Sequence, residues 1–319
     1  MAKINIWPQL SPESQQAVEK SREQYVGFTA SFTASSADPL TAMREGYLHE
    51  RRYWNSFAVA LASVTDLALD TAHGAVPTRL YKPSSQENLP VLLYAHGGGF
   101  MLGNLDTHDR ICRLLAQKSG WAVLAIDYTL APEKKFPVQA DQVLAVLQHV
   151  AAQGQAMGLD PTRIALGGDS AGAHLSLGAA LDAKAAGLQG VRALLLYYGA
   201  YGLKDSASLR LYGWADLDGL GDEDRATYQS CYTDDREHAR VHLLKADMSG
   251  LPATFIGAVA FDPLRDDSLA LDALMQGQGV TTQLKLYHGV LHSFLHYSAL
   301  EPRAMQALED GAAFLKSSV

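Results

Sequence analysis

The residues best suited to do chemistry lie in one short stretch, Gly167-Gly168-Asp169-Ser170-Ala171-Gly172. The pattern Gly168-x-Ser170-x-Gly172 follows the apolar run Ile164-Ala165-Leu166 and precedes a small-residue segment over 171–187, which together read as strand, sharp turn and helix. A serine hydroxyl is a poor nucleophile in an ordinary loop, and such a turn lifts it into the open at the carboxyl edge of a sheet. Glycine on both sides leaves room where strand and helix pass closely. The five-residue pattern also occurs in plain strand-helix turns, so its surroundings have to decide.

A second signal stands upstream. The apolar run Pro90-Val91-Leu92-Leu93-Tyr94-Ala95 reads as a buried strand and leads directly into His96-Gly97-Gly98-Gly99-Phe100. Three glycines at a strand end let backbone N–H groups turn toward one point, the arrangement that stabilises a tetrahedral oxyanion. A phosphate loop is the rival reading, but no Gly-Lys-Ser/Thr follows and no G-x-G-x-x-G opens the next helix. Gly97, Gly98 and Gly99, with the N–H of Ala171 after the serine, are therefore the candidate oxyanion donors, the pair Gly98 and Gly99 before Gly97.

The serine needs a base, and the base a group to orient it. Asp262 follows a strand over 253–258, and His292 follows a strand over 283–287, so both fall in loops at the strand ends where such sheets assemble their sites. The order Ser170, Asp262, His292 is one of the known triad orders. Asp266 and Asp267 compete with Asp262 but sit nearer the next helix, where Asp caps an N-terminus. His288 and His296 flank His292; the first closes the strand and the second begins or faces the following helix. His96 reads as a brace for the glycine loop.

The rest of the chain supplies elements to hold these loops. Residues 1–60 read as helical, with Ser11-Pro12-Glu13 as a helix start. Strand-like runs at 67–69, 76–81, 91–95, 122–126, 164–166 and 193–197 alternate with helical stretches at 107–118, 138–152 and 171–187, and two more strand-helix pairs close the chain. That rhythm predicts an α/β fold with a mostly parallel sheet covered on both faces. The segment 204–247 breaks it, being rich in Asp and carrying Tyr212, Trp214, Tyr228 and Tyr232.

At this point the chain resembles the hormone-sensitive-lipase-like branch of the α/β-hydrolases, whose marks His96-Gly97-Gly98-Gly99 and Gly168-Asp169-Ser170-Ala171-Gly172 both stand intact. The stretches 103–110, 126–133, 198–203 and 292–298 look more particularly like its bacterial members that act on acetyl esters. The likeness runs from about residue 47 to the end and is weakest before 45 and in 204–245. His288 departs from it, standing where proline is expected before the glycine. The resemblance implies the α/β-hydrolase fold, a Ser-His-Asp esterase acting on short acyl esters, and no cofactor or metal. It also implies a helical cap made of residues 1–60 and the insertion 204–245 on a catalytic domain 61–319, with Tyr212 and Trp214 in the substrate pocket. Glu133 is expected to tie down a loop, and Asp169 to anchor the elbow. An amide hydrolase or acyltransferase on the same triad remains open, as do a homodimer and, by resemblance alone, a regulatory protein partner.

Composition agrees. The chain has 319 residues, 48% of them hydrophobic, enough for a large core. A formal net charge of −8 without clustered Lys and Arg argues against nucleic acid or an anionic membrane as partner. Cys112 and Cys231 are far apart and suggest neither a disulfide framework nor a zinc site. The N-terminus lacks a signal-peptide core and no apolar run reaches a membrane span, so a cytoplasmic, membrane-free protein is expected.

Overall fold

A computed structural model describes residues 4–32, 38–57, 59–213 and 220–318, without the side chains of 29–32. Eight strands form one sheet: β1 (Ser63–Thr71), β2 (Gly74–Lys82), β3 (Leu89–Ala95), β4 (Ala122–Ile126), β5 (Leu159–Asp169), β6 (Val191–Tyr197), β7 (Ala253–Val259) and β8 (Thr282–Tyr287). Their order across the sheet is β1-β2-β4-β3-β5-β6-β7-β8. The hairpin β1–β2 is antiparallel, β2 joins β4 antiparallel, and every pairing from β4 to β8 is parallel. The fold is thus the α/β architecture with a mostly parallel sheet expected from the alternation of elements.

Period-two alternation of side chains builds two cores from one strand. From β3, Val91, Leu93 and Ala95 enter a core shared with α4 (Val138–Gln153), α5 (Ala171–Ala185) and α8 (Arg265–Gly277). Leu92 and Tyr94 enter the opposite core, filled by α3 (Asp109–Ser119) and α9 (Pro302–Ser317). Both faces of the central strands are therefore dry, which is why they read as continuous apolar runs. The edge strand β1 is instead mostly exposed or half-buried, with Leu69 its one buried residue.

β5 is longer than the run 164–166 suggests. Its first part contains Pro161, and Leu159 pairs with Leu89 ahead of a register shift before Val91 pairs with Ile164.

The N-terminal helices α1 (Pro12–Phe32) and α2 (Pro39–Asn55) lie outside the sheet and pack on each other. Ser11 starts α1 as expected: its Oγ accepts from the Ser14 N–H at 3.0 Å. Both hydroxyls then donate to the buried Glu301 at 2.6 Å, fastening α1 to the start of α9. Asp38 caps α2 by accepting from the N–H groups of Leu40 and Thr41, with Pro39 in the first turn. Between β6 and β7 lie α6 (Ala207–Tyr212) and α7 (Asp222–Tyr232). No helix among the described residues is long and apolar enough to cross a membrane.

Candidate active site

Ser170 stands between β5 and α5 at φ 53° and ψ −119°, a strained conformation for a residue with a side chain. Its N–H donates to the Tyr197 carbonyl at 2.9 Å, which helps to hold the turn. The glycines on either side are required by space. A Cβ on Gly168 would lie 2.6 Å from the Gly172 carbonyl carbon, and one on Gly172 would run into the Ala95 backbone. The serine is therefore presented by close crossing of β3, β5 and α5 rather than by local sequence alone.

β5, β7 and β8 bring three distant residues to one edge. His292 Nε2 lies 2.9 Å from Ser170 Oγ, and His292 Nδ1 lies 2.7 Å from Asp262 Oδ2. The other Asp262 oxygen accepts from the Leu264 N–H at 2.7 Å, so a wholly buried carboxylate is fixed from both sides. The rivals are occupied elsewhere. Asp267 Oδ1 accepts from the N–H groups of Tyr201, Gly202 and Leu203, clamping the chain after β6. Burial pushes its carboxyl up to about 6 despite those donors. Asp266 accepts from the Ser208 N–H. His288 is exposed, and His296 is buried edge-on against His108 with ring centroids 4.6 Å apart.

The glycine loop follows β3, next to β5 in the sheet, so it reaches the serine directly. Gly97 departs from the expectation that it could serve as an oxyanion donor. Its N–H points into the protein and donates to Asp169 Oδ1 at 3.1 Å. Gly98 and Gly99, at φ +123° and +60°, border the same cavity as Ser170 and His292. Ala171 opens α5 directly after the serine, where helix N–H groups lack intrahelical partners.

Asp169 joins the elbow to that loop. Besides the Gly97 N–H, its Oδ1 takes the Tyr94 hydroxyl at 2.8 Å and lies 3.2 Å from His108 Nε2. Burial alone would raise this carboxyl, but the His108 charge and the hydrogen bonds from His108 and Tyr94 hold it below the ordinary carboxylate range. Among the described residues, His108, Asp169 and His296 are the group whose ligating atoms come within 4.8 Å of one another. With these donors already on Asp169, and the Tyr198 hydroxyl on its other oxygen at 3.5 Å, that group serves as an internal brace. His96 braces the loop as well: Nδ1 donates to the Gly97 carbonyl at 2.8 Å, and the ring stacks on Tyr128 at 4.3 Å. Burial drives its pKa down to about 3, so it stays neutral.

Residues 92–296 match the family described as the alpha/beta hydrolase fold. The chain belongs to the α/β-hydrolase family. This hydrolase is 43% identical over 281 residues to an acetyl esterase of Salmonella schwarzengrund, a match covering 86% of each chain. Among solved structures it is similar to a hyperthermophilic esterase from the archaeon Pyrobaculum calidifontis, with a TM-score of 0.89 at 29% identity, covering 97% of this chain and 98% of that one. It is also similar to a thermostable esterase from Pseudomonas putida, with a TM-score of 0.82 at 27% identity and the same coverage.

Two cavities of about 380 and 390 Å³ meet at Ser170 in the hydrolase, each within the size range of small-molecule sites. The first runs under α7 and is bordered by Phe100, His174, Leu209 and Leu264. The second runs under α1 and α2 and is bordered by Tyr47, Glu50, Arg51 and His292. Tyr212 borders neither. It packs on Phe261 and takes Arg265 over its ring at 5.3 Å, so it shores up the loop that carries Asp262. Trp214 lies outside the described residues. Glu133 does tie down its loop: it pairs with Arg44 of α2, whose guanidinium also donates to the Met101 and Ala131 carbonyls.

Sequence reasoning missed Glu50 and Arg51. They form a buried ion pair at 3.0 Å, with Glu50 also accepting from the Trp54 indole N–H at 2.8 Å. The signal was available in the spacing, because Tyr47, Glu50, Arg51 and Trp54 recur at i, i+3, i+4 and i+7 and so share one helix face.

Proposed function

We propose that this hydrolase, a serine carboxylesterase, removes short acyl groups such as acetyl and butyryl from small esters through a covalent acyl-enzyme. The observation that carries the reading is the single imidazole of His292, held between Asp262 at 2.7 Å and Ser170 at 2.9 Å. His292 Nε2 takes the Ser170 proton as Oγ attacks the ester carbonyl carbon. The carbonyl π bond opens to an oxyanion, which the N–H groups of Gly98, Gly99 and Ala171 stabilise. Asp262 holds the Nδ1–H tautomer and balances the imidazolium. That imidazolium then protonates the departing alcohol oxygen as the C–O bond breaks. Water repeats the sequence on the acyl-serine and releases the acid.

Helices α1 and α2 and the 204–245 segment act as the cap. Support for this comes from the two cavities, whose walls over Ser170 come from α1, α2 and α7. The similarity to an acetyl esterase over 86% of the chain supports short acyl groups.

The test is kinetic. Ser170→Ala removes nitrophenyl acetate hydrolysis almost completely in a folded protein, and His292→Ala loses a comparable amount. The double variant is little worse than either, because triad members act as a unit. Additive losses would mean that the two residues do not serve one reaction.

A further inference from the structure

We infer that Tyr228 is the partition that divides the site into an acyl cavity and an alcohol cavity, and so sets selectivity for both halves of the ester. The inference rests on the esterase reading above. His292 borders only the second cavity, and the leaving oxygen must receive its proton from His292. The alcohol therefore occupies the cavity under α1 and α2, and the acyl chain takes the one under α7.

What separates them is narrow. Ser170 and Gly99 border both cavities, and of the described residues in the 204–245 segment Leu220 and Tyr228 do so too. The Tyr228 ring stands directly on the glycine loop: a Cβ added to Gly99 would lie 2.6 and 2.7 Å from its two Cδ atoms. The ring thus reaches the floor of the site beside the serine. It packs against two separate apolar clusters, one of Met101, Leu102 and Ala131, the other of Leu209, Leu220 and Leu264. It comes from α7, whose sequence gives no hint of this position, since the aromatic is one of several in a polar segment.

A divider of this kind makes a distinctive prediction. With the ring in place, acyl length and alcohol size affect kcat/KM independently, because each half of the ester has its own space. Without it the spaces merge and both tolerances widen together.

The experiment measures kcat/KM for phenyl and 2-naphthyl esters of acetate and octanoate with wild type, Tyr228→Ala, Tyr228→Phe and Leu220→Ala. In Tyr228→Ala the octanoate-to-acetate ratio should rise about tenfold, the effect of roughly two newly accommodated methylenes. The naphthyl-to-phenyl ratio should rise as well, and octanoyl naphthyl ester should gain less than the product of the two. Leu220→Ala moves the ratios in the same direction, which keeps the test alive if Tyr228→Ala does not fold, and Tyr228→Phe keeps the wild-type ratios. A uniform change on all four esters, or a rise on one side only, overturns the partition. A phosphonate ester separates the two levels of the argument by intact mass. No adduct on Ser170 would remove the esterase reading itself, whereas an adduct with unchanged ratios removes only the partition.

Discussion

Replacing Gly98 by alanine tests the proposal that backbone N–H groups of the glycine loop bind the oxyanion. Gly98 holds φ at +123°, a region that costs a residue with a Cβ about 1–3 kcal/mol. An added Cβ would also lie 2.7 Å from the carbonyl carbon of Leu102 and closer still to its oxygen. Ordinary carbon–carbon contact is about 3.5–4.0 Å, so the two backbones have to part by about 1 Å. They are tied to each other, because the Leu102 N–H donates to the Gly98 carbonyl at 2.8 Å. Relief therefore rotates the peptide units of Gly98 and Gly99, and with them the N–H groups proposed to bind the oxyanion. Losing one such donor costs about 2.7–4 kcal/mol, or roughly 10²–10³ in turnover. The expected result is a kcat lower by about that factor, a KM for nitrophenyl acetate changed by no more than about threefold, and a melting temperature only modestly reduced. Steady-state kinetics with circular dichroism on the same preparation reads all three. A folded Gly98→Ala protein with near-normal kcat would show that the loop donates nothing to the transition state.

Two further outcomes follow from the same geometry. Gly178 sits inside α5 with nothing within 4 Å of an added Cβ, so Gly178→Ala should stabilise by about 0.5–1 kcal/mol without altering kcat; a lower melting temperature would mean that the helix packs more tightly there. His96, packed with Tyr128, His108, Asp127 and Asp169, has its pKa lowered from 6.5 to about 3 by burial and by the neighbouring His108. Its folded-state pKa is depressed, so below about pH 6.5 the unfolded chain takes a proton that the folded one refuses, and stability falls by up to about 1.4 kcal/mol per pH unit down to about pH 3. Thermal melts between pH 7 and 4.5 should therefore show a steeper acid loss for wild type than for His96→Asn, and parallel curves would refute the buried neutral imidazole.

How much was legible in the sequence follows the range of the interactions involved. The elbow and the glycine loop were readable because each is a strand end and a tight turn, fixed by neighbours within a few residues. Asp262 and His292 could be picked out because the alternation of strands and helices already located the sheet edge, and a residue just past a strand must fall there. Gly97 shows where that reasoning stops. In sequence it is the equal of Gly98 and Gly99, and only the approach of Asp169, 72 positions away, takes its N–H out of the site. Tyr212 and Tyr228 make the same point. Both are aromatics on short helices of an acidic segment, with no periodic pattern to assign them a face. Which one stands over the serine and which one shores up the Asp262 loop depends on how α6 and α7 settle on Gly99 and Phe261. Sequence by itself located the residues that meet at Ser170, because each lies at a strand end set by local backbone geometry. The shape of the space beside Ser170 was decided by tertiary structure alone, because it is enclosed by side chains that meet only when the α1–α2 pair and α7 pack over the sheet edge.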